Sequence, residues 1–206
     1  MRLFYSPLSS NARRVTLAAH ILRSPLEMVY VNLKDPADRG RLAELNPNCK
    51  VPVLQDGDFV LWESCAIMQY LADMSPSQEL YPQDPRARAD VNRWMFWANQ
   101  HFFPAVGVMT FENIWKGMMG LGAADSRELE RGERGVLQFA AVLDHHLQDR
   151  QWVAGKSLSL ADLAIVPAMM YVEPAHLPLA HFTNIQRWYQ QIEASDAWQM
   201  TKGDAL

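Results

Sequence analysis

The order of hydrophobic patterns in roughly the first thirty positions constrains this 206-residue chain more than any other feature. Residues 2–5 read as a short strand. Ser9-Ser10-Asn11 then supplies helix-starting side chains, and Val15, Leu17, Ala18, Ile21 and Leu22 recur at helical spacing over residues 13–22, until Pro25 ends the helix. Residues 27–33 (EMVYVNL) are again β-rich. Strands separated by a helix pair in parallel, so the pattern predicts a βαβ unit with a right-handed crossover.

The next stretch extends this unit. Residues 35–45 read as a short irregular helix closed by Asn46-Pro47, and residues 51–55 and 59–62 flank Asp56-Gly57-Asp58, a strong hairpin signal. A helix follows over residues 64–74, with Ile67, Met68, Tyr70 and Leu71 on its buried side. Ser75-Pro76-Ser77 and Tyr81-Pro82-Gln83-Asp84-Pro85 then read as a linker. Beyond it, residues 86–119, 127–148, 160–172 and 185–194 all carry helical periodicity. The expected organisation is an α/β domain over residues 1–75 in βαβ-α-ββ-α order, a linker over 76–85, and an all-α helical bundle over 86–206.

Composition narrows the function. Nineteen Lys and Arg against 23 Asp and Glu give a net charge of −4, and the longest basic run is Arg13-Arg14, which argues against a nucleic-acid partner. Cys49 and Cys65 are spaced too widely for a C-x-x-C pair, which fits a reducing, cytoplasmic setting. Neither a secretory signal nor a membrane span is expected. The histidines, including His145-His146, lack an i, i+4 partner of ligand character, so no metal site is expected. The 7 Trp, 8 Phe, 6 Tyr and 11 Met crowd the middle and end of the chain, where a large bundle core would absorb most of them.

Three motifs carry chemistry. Val51-Pro52 opens a strand where proline is anomalous. It is either an edge-strand proline or a cis bond holding the Val51 N–H and C=O outward for an extended peptide ligand. Glu63-Ser64 sits where a strand passes into a helix. It either caps that helix or pairs an anion for an ammonium with a hydroxyl and amides for a carboxylate. Between the first strand and helix, Ser9 or Ser10 caps the helix and can also donate to an anion there. A thiol of ordinary pKa is only about 3% thiolate at pH 7, so such a site would raise its reactive fraction.

Taken together and in register, these motifs resemble the cytosolic glutathione transferase family over essentially the whole chain. The resemblance implies a thioredoxin-like N-terminal domain with a mixed four-stranded sheet, an all-helical C-terminal domain, and glutathione as co-substrate. Ser157-Leu158-Ser159-Leu160-Ala161-Asp162-Leu163 resembles the family's helical-domain folding signature, with Ser159 and Asp162 as a capping box and Leu158 and Leu163 as a hydrophobic staple.

Aligned on Arg13-Arg14-Val15, Ser9 takes the position of the catalytic serine of the serine-type plant and theta-like classes, with Ser10 in reserve. Measured from Leu3-Phe4-Tyr5, Ser9 also takes the place of the bacterial beta-class cysteine. The absence of that cysteine argues against mixed-disulfide chemistry, and Asn11 stands where the zeta class has cysteine. Tyr5 also matches a beta-class position but reads as core. The resemblance implies that Val51, ahead of Pro52, pairs through its backbone with the cysteinyl part of glutathione. Lys50 approaches the glycyl carboxylate, with Lys34 adding charge, and Glu63 and Ser64 hold the γ-glutamyl end. Asn92 and Asn99 are further candidates, Asn92 reaching the site of a neighbouring subunit in a homodimer. An acceptor site between the domains would draw on Leu8, Phe102, Val106, Met109 and Trp115, with Met118 and Met119 as further members.

The implied activity is attack of a glutathione thiolate, held by Ser9 and the first helix's N-terminus, on an apolar electrophile, as in detoxification. Glutathione-dependent peroxide reduction or dehalogenation on the same site is an alternative. A non-catalytic glutathione-binding or protein-interaction module is another, of a different class.

Overall fold

The structure, a computed structural model, describes residues 1–76 and 80–202. Residues 77–79 of the expected linker and 203–206 of the expected helical domain lie outside the described residues. The chain opens with β1 (Arg2–Tyr5), α1 (Ser10–Ile21), β2 (Glu27–Tyr30), α2 (Pro36–Leu45), β3 (Val53–Asp56), β4 (Phe59–Trp62) and α3 (Ser64–Met74). The strands form one mixed sheet in the order β2-β1-β3-β4, parallel between β1 and β2 and antiparallel elsewhere. Leu3 lies between Met28 and Leu54, and Leu54 pairs in turn with Leu61, so one apolar row crosses the sheet. On the other face Val53 packs with Val31, Leu42 and Val51, and with the partly buried Phe4 and Val60.

Local chemistry sets the boundaries. Arg23 takes a left-handed backbone (φ 53°), so the Ser24 N–H bonds to the Ala19 carbonyl and the Arg23 N–H to that of His20, which closes α1. The strand expected over 51–55 begins at Val53, because Pro52 has no N–H for the ladder. The Val51-Pro52 bond is cis.

The helical part begins with α4 (Pro85–Trp97), a wide π-helical turn at Ala98–Phe102, α5 (Phe103–Thr110), a second π turn at Phe111–Trp115, and α6 (Lys116–Met118). The single helix expected over 86–119 is thus one helical path with two irregularities. The first falls where Pro104 offers no N–H to the carbonyl of residue 100. Next come α7 (Ser126–His146), α8 (Leu160–Ile165), a 3₁₀ stretch at Val166–Tyr171, α9 (Thr183–Glu193) and α10 (Asp196–Met200). Pro167 explains why the regular helix expected over 160–172 tightens after Ile165. Asp144 of α7 accepts from the N–H groups of Asn184 and Ile185 and so caps α9, which has no side-chain cap of its own. Gly132 and Gly135 of α7 let α5 approach closely, since a Cβ at either would fall within 3.0 Å of Met109 or Ala105.

Contacts divide the chain into two compact units. One runs over Met1–Pro85 and takes in α10; the other is Arg86–Ser195. The last helix joins the first unit through Arg13, whose guanidinium lies 3.6 Å from the centroid of the Trp198 ring and donates to the Trp198 carbonyl at 3.0 Å. No helix among the described residues is long and apolar enough to cross a membrane.

Candidate functional site

Ser9 is the N-cap of α1. Its backbone is extended (φ −92°, ψ 115°), and its Oγ accepts from the Ala12 N–H at 3.2 Å. That bond uses an acceptor lone pair and leaves the hydroxyl proton able to donate. Ser9 is half-buried, whereas Ser10, the first residue of the helix, is buried. Among the two, Ser9 presents the more accessible hydroxyl at a helix end carrying positive partial charge.

The start of α3 belongs to the same unit. Glu63 precedes it in a left-handed conformation (φ 76°), exposed and with no side-chain capping bond, a strained backbone for a residue with a Cβ. Ser64 is buried, and its Oγ accepts from an Nη of Arg14 at 3.2 Å. The same nitrogen donates to Asn11 Oδ1 at 2.9 Å, and the Ser64 hydroxyl lies 3.5 Å from that oxygen. Arg14 is only 1% exposed, so a buried cation lies directly behind Ser64. Nothing in the sequence pattern singled Arg14 out, because an arginine within an amphipathic helix reads as surface.

The turn before β3 supplies the third element. Val51 is buried, and among the described residues no backbone group bonds to its N–H or C=O. Asn46, also buried, organises this turn: its Nδ2 donates to the Lys50 carbonyl at 2.8 Å and its Oδ1 accepts from the Asn48 N–H at 3.0 Å. Asn46 had read only as a helix stop; the Asn-Pro-Asn that follows the helix was the available signal. Lys50 and Lys34 are exposed. A cleft of about 630 Å³ opens beside the β1–α1 turn, bordered by Tyr5, Ser6, Pro7, Arg13 and Met200. Tyr5 is therefore a half-buried wall of that cleft rather than core, with its ring edge-on to Tyr30 at 6.5 Å. Ser9, Val51 and Ser64 do not line the cleft.

The acceptor candidates separate by burial. Phe102, Val106 and Met109 are 0%, 1% and 5% exposed inside the helical unit. Phe102 stacks on Trp97 at 5.7 Å, and Met109 meets α7 at Gly132. Trp115 is half-buried and edge-on to Tyr171, Leu8 is half-buried, and Met118 and Met119 are exposed. Asn92 and Asn99 are half-buried. Ser159 and Asp162 form a capping box at α8: the Asp162 carboxylate accepts from the Ser159 N–H at 2.9 Å, while the Ser159 hydroxyl caps the helix. Burial pushes Asp162 up to about 6, against the hydrogen bonds it accepts. No group of three or more His, Cys, Asp or Glu placed to hold a metal occurs among the described residues.

Known proteins are similar to this chain in sequence and fold. The glutathione S-transferase N-terminal domain profile matches residues 8–74 and the C-terminal domain profile residues 99–196. Glutathione S-transferase GstB of Escherichia coli is 31% identical over 196 residues, covering 89% of this chain and 88% of its own. A glutathione S-transferase of Hyoscyamus muticus is 30% identical over 203 residues, covering 96% and 95%. Among solved structures, a delta-class glutathione transferase of Nilaparvata lugens superposes with a TM-score of 0.83 at 32% identity, covering 98% and 94%. One from Pseudomonas putida, with one glutathione disulfide bound per subunit, gives 0.87 at 27%, covering 98% and 90%. The chain belongs to the glutathione S-transferase family.

Proposed function

We propose that this chain is a glutathione transferase that holds the glutathione thiol as a thiolate through the Ser9 hydroxyl and the N-terminus of α1, and directs it at an apolar electrophile. The observation that carries this reading is the geometry of Ser9. Its oxygen is fixed by the Ala12 N–H, its proton is left to donate, and the helix dipole favours negative charge beside it. As the thiolate attacks, a carbon–sulfur bond forms at the electrophilic carbon, and the leaving group departs with its electron pair.

In this reading residues 1–75 bind glutathione. The free backbone of Val51, before Pro52, pairs with the cysteinyl part, and Glu63 and Ser64 hold the γ-glutamyl ammonium and carboxylate. Lys50, with Lys34 further out, faces the glycyl carboxylate. Residues 86–206 contribute to the acceptor side, for which the half-buried Trp115 is a candidate. The protein works as a homodimer in a reducing cytoplasm, with Asn92 reaching the partner's site. The exposed Phe59 and Trp62 on β4, and Phe96 on α4, are apolar surface that a second copy would cover.

Ser9→Ala is expected to lower turnover with a chlorinated nitroaromatic about tenfold or more, while glutathione affinity changes little. Unchanged turnover in Ser9→Ala together with a loss in Ser10→Ala would move the role one residue along.

A further inference from the structure

Arg14 is the largest polar side chain fully buried in the first unit, and the function just proposed gives it no task. One nitrogen of its guanidinium serves two acceptors on different elements, Asn11 Oδ1 on α1 and Ser64 Oγ at the start of α3. A serine hydroxyl has two acceptor lone pairs and one proton. With one lone pair committed to Arg14, the oxygen of Ser64 is fixed, and its proton has Asn11 Oδ1 as a weak acceptor at 3.5 Å. A carboxylate is a much stronger acceptor and would take that proton over.

We propose that Arg14 is a positioning residue for the γ-glutamyl carboxylate of glutathione. It holds the Ser64 oxygen, polarises its O–H toward the ligand, and sets a buried positive charge behind the N-termini of α1 and α3. The proposal rests on the glutathione reading of the site. It gives α1 two separate duties: Arg14 acts on recognition of the carboxylate, whereas Ser9, the N-cap whose oxygen is fixed by Ala12, acts on the thiol. Lysine is a poor substitute, because the ammonium on its flexible stem is not pre-oriented toward both acceptors as the nitrogen of the planar, rigid guanidinium is.

The test compares glutathione with its analogue lacking the α-carboxylate, γ-aminobutyryl-cysteinyl-glycine, by calorimetry on the full-length protein. Hydrogen bonds to a charged group are strong enough that the wild type is expected to prefer glutathione by about tenfold or more. In Arg14→Met and Arg14→Lys that preference is expected to shrink toward unity, with KM for glutathione raised and the pH dependence of kcat unmoved. If the wild type binds neither ligand, the glutathione reading itself fails. If it discriminates and the folded Arg14 variants discriminate equally well, the reading stands and the positioning role is overturned. Asn11→Ala, at an exposed position, loosens the same link without opening the core and is expected to reduce the preference about threefold. Unfolded Arg14 variants combined with undiminished preference in Asn11→Ala would assign Arg14 to folding alone.

Discussion

The Trp188 indole N–H donates to Asp162 Oδ1 at 2.9 Å, so α9 and α8 are joined in the core by a bond between two fully buried polar groups. The same oxygen accepts from the Val153 N–H at 2.9 Å, and the other accepts from the Ser159 N–H and hydroxyl. One carboxylate thus ties together the loop after α7, the cap of α8 and the body of α9.

Asp162→Ala removes the cap residue's partner and leaves the Trp188, Val153 and Ser159 donors buried without an acceptor. The expected loss is on the order of 3 kcal/mol, more than a surface cap would cost. Urea unfolding of wild type and variant measures it; a loss below about 1 kcal/mol would show that the donors find other acceptors.

Asp162 also predicts a pH dependence. Its pKa in the folded chain lies near 6, above the ordinary 3.8, because burial disfavours the charge more than the four hydrogen bonds favour it. Between these values the folded state binds more protons than the unfolded one. This group's stabilisation is therefore full below about pH 4 and is lost as pH rises through about 6, by at most roughly 3 kcal/mol. The Trp188 indole proton, bonded to the titrating oxygen, should shift in NMR spectra across that window. Glu112 acts with the opposite sign. The hydrogen bond from Lys116, and then that from the Asp125 N–H, hold it below its ordinary 4.5, so its contribution fades in acid. A Trp188 signal that stays fixed between pH 4 and 7 would mean that the hydrogen bonds win.

Gly135→Ala should destabilise although alanine is the better helix former. The added methyl falls 2.9 Å from the Ala105 Cβ, which is fixed to the backbone of α5, so the helices must part. Overpacking of about 1–3 kcal/mol exceeds the roughly 1 kcal/mol gained from propensity. Adding Ala105→Gly removes the opposing methyl and should restore much of the loss, measured by urea unfolding of single and double variants.

Much of the first unit was legible because local patterns dictate it. Residues 59–62 and 64–74 fold over the expected spans, and the Ser159–Asp162 cap needs only neighbours in sequence. Other features depend on partners far along the chain. Phe102, Val106 and Met109 have the composition of an apolar pocket wall and of a core alike, and only packing decides between them. Arg14 acquires its surroundings from Ser64, fifty positions on. The first π turn falls where Pro104 lacks an N–H, whose effect on helix width no hydrophobic period records. The attachment of α10 to α1 includes an arginine meeting a tryptophan across 185 positions.

That last attachment bears on the order in which the chain folds during synthesis. Leading domains commonly fold as units while the rest of the polypeptide is still being made. Here the segment over Met1–Pro85 emerges early, but Arg13 must wait for Trp198, after the entire helical unit has been translated. The sheet can form on the ribosome, while the flank of α1 closes only when α10 returns, so the first unit to begin folding is also the last to be completed.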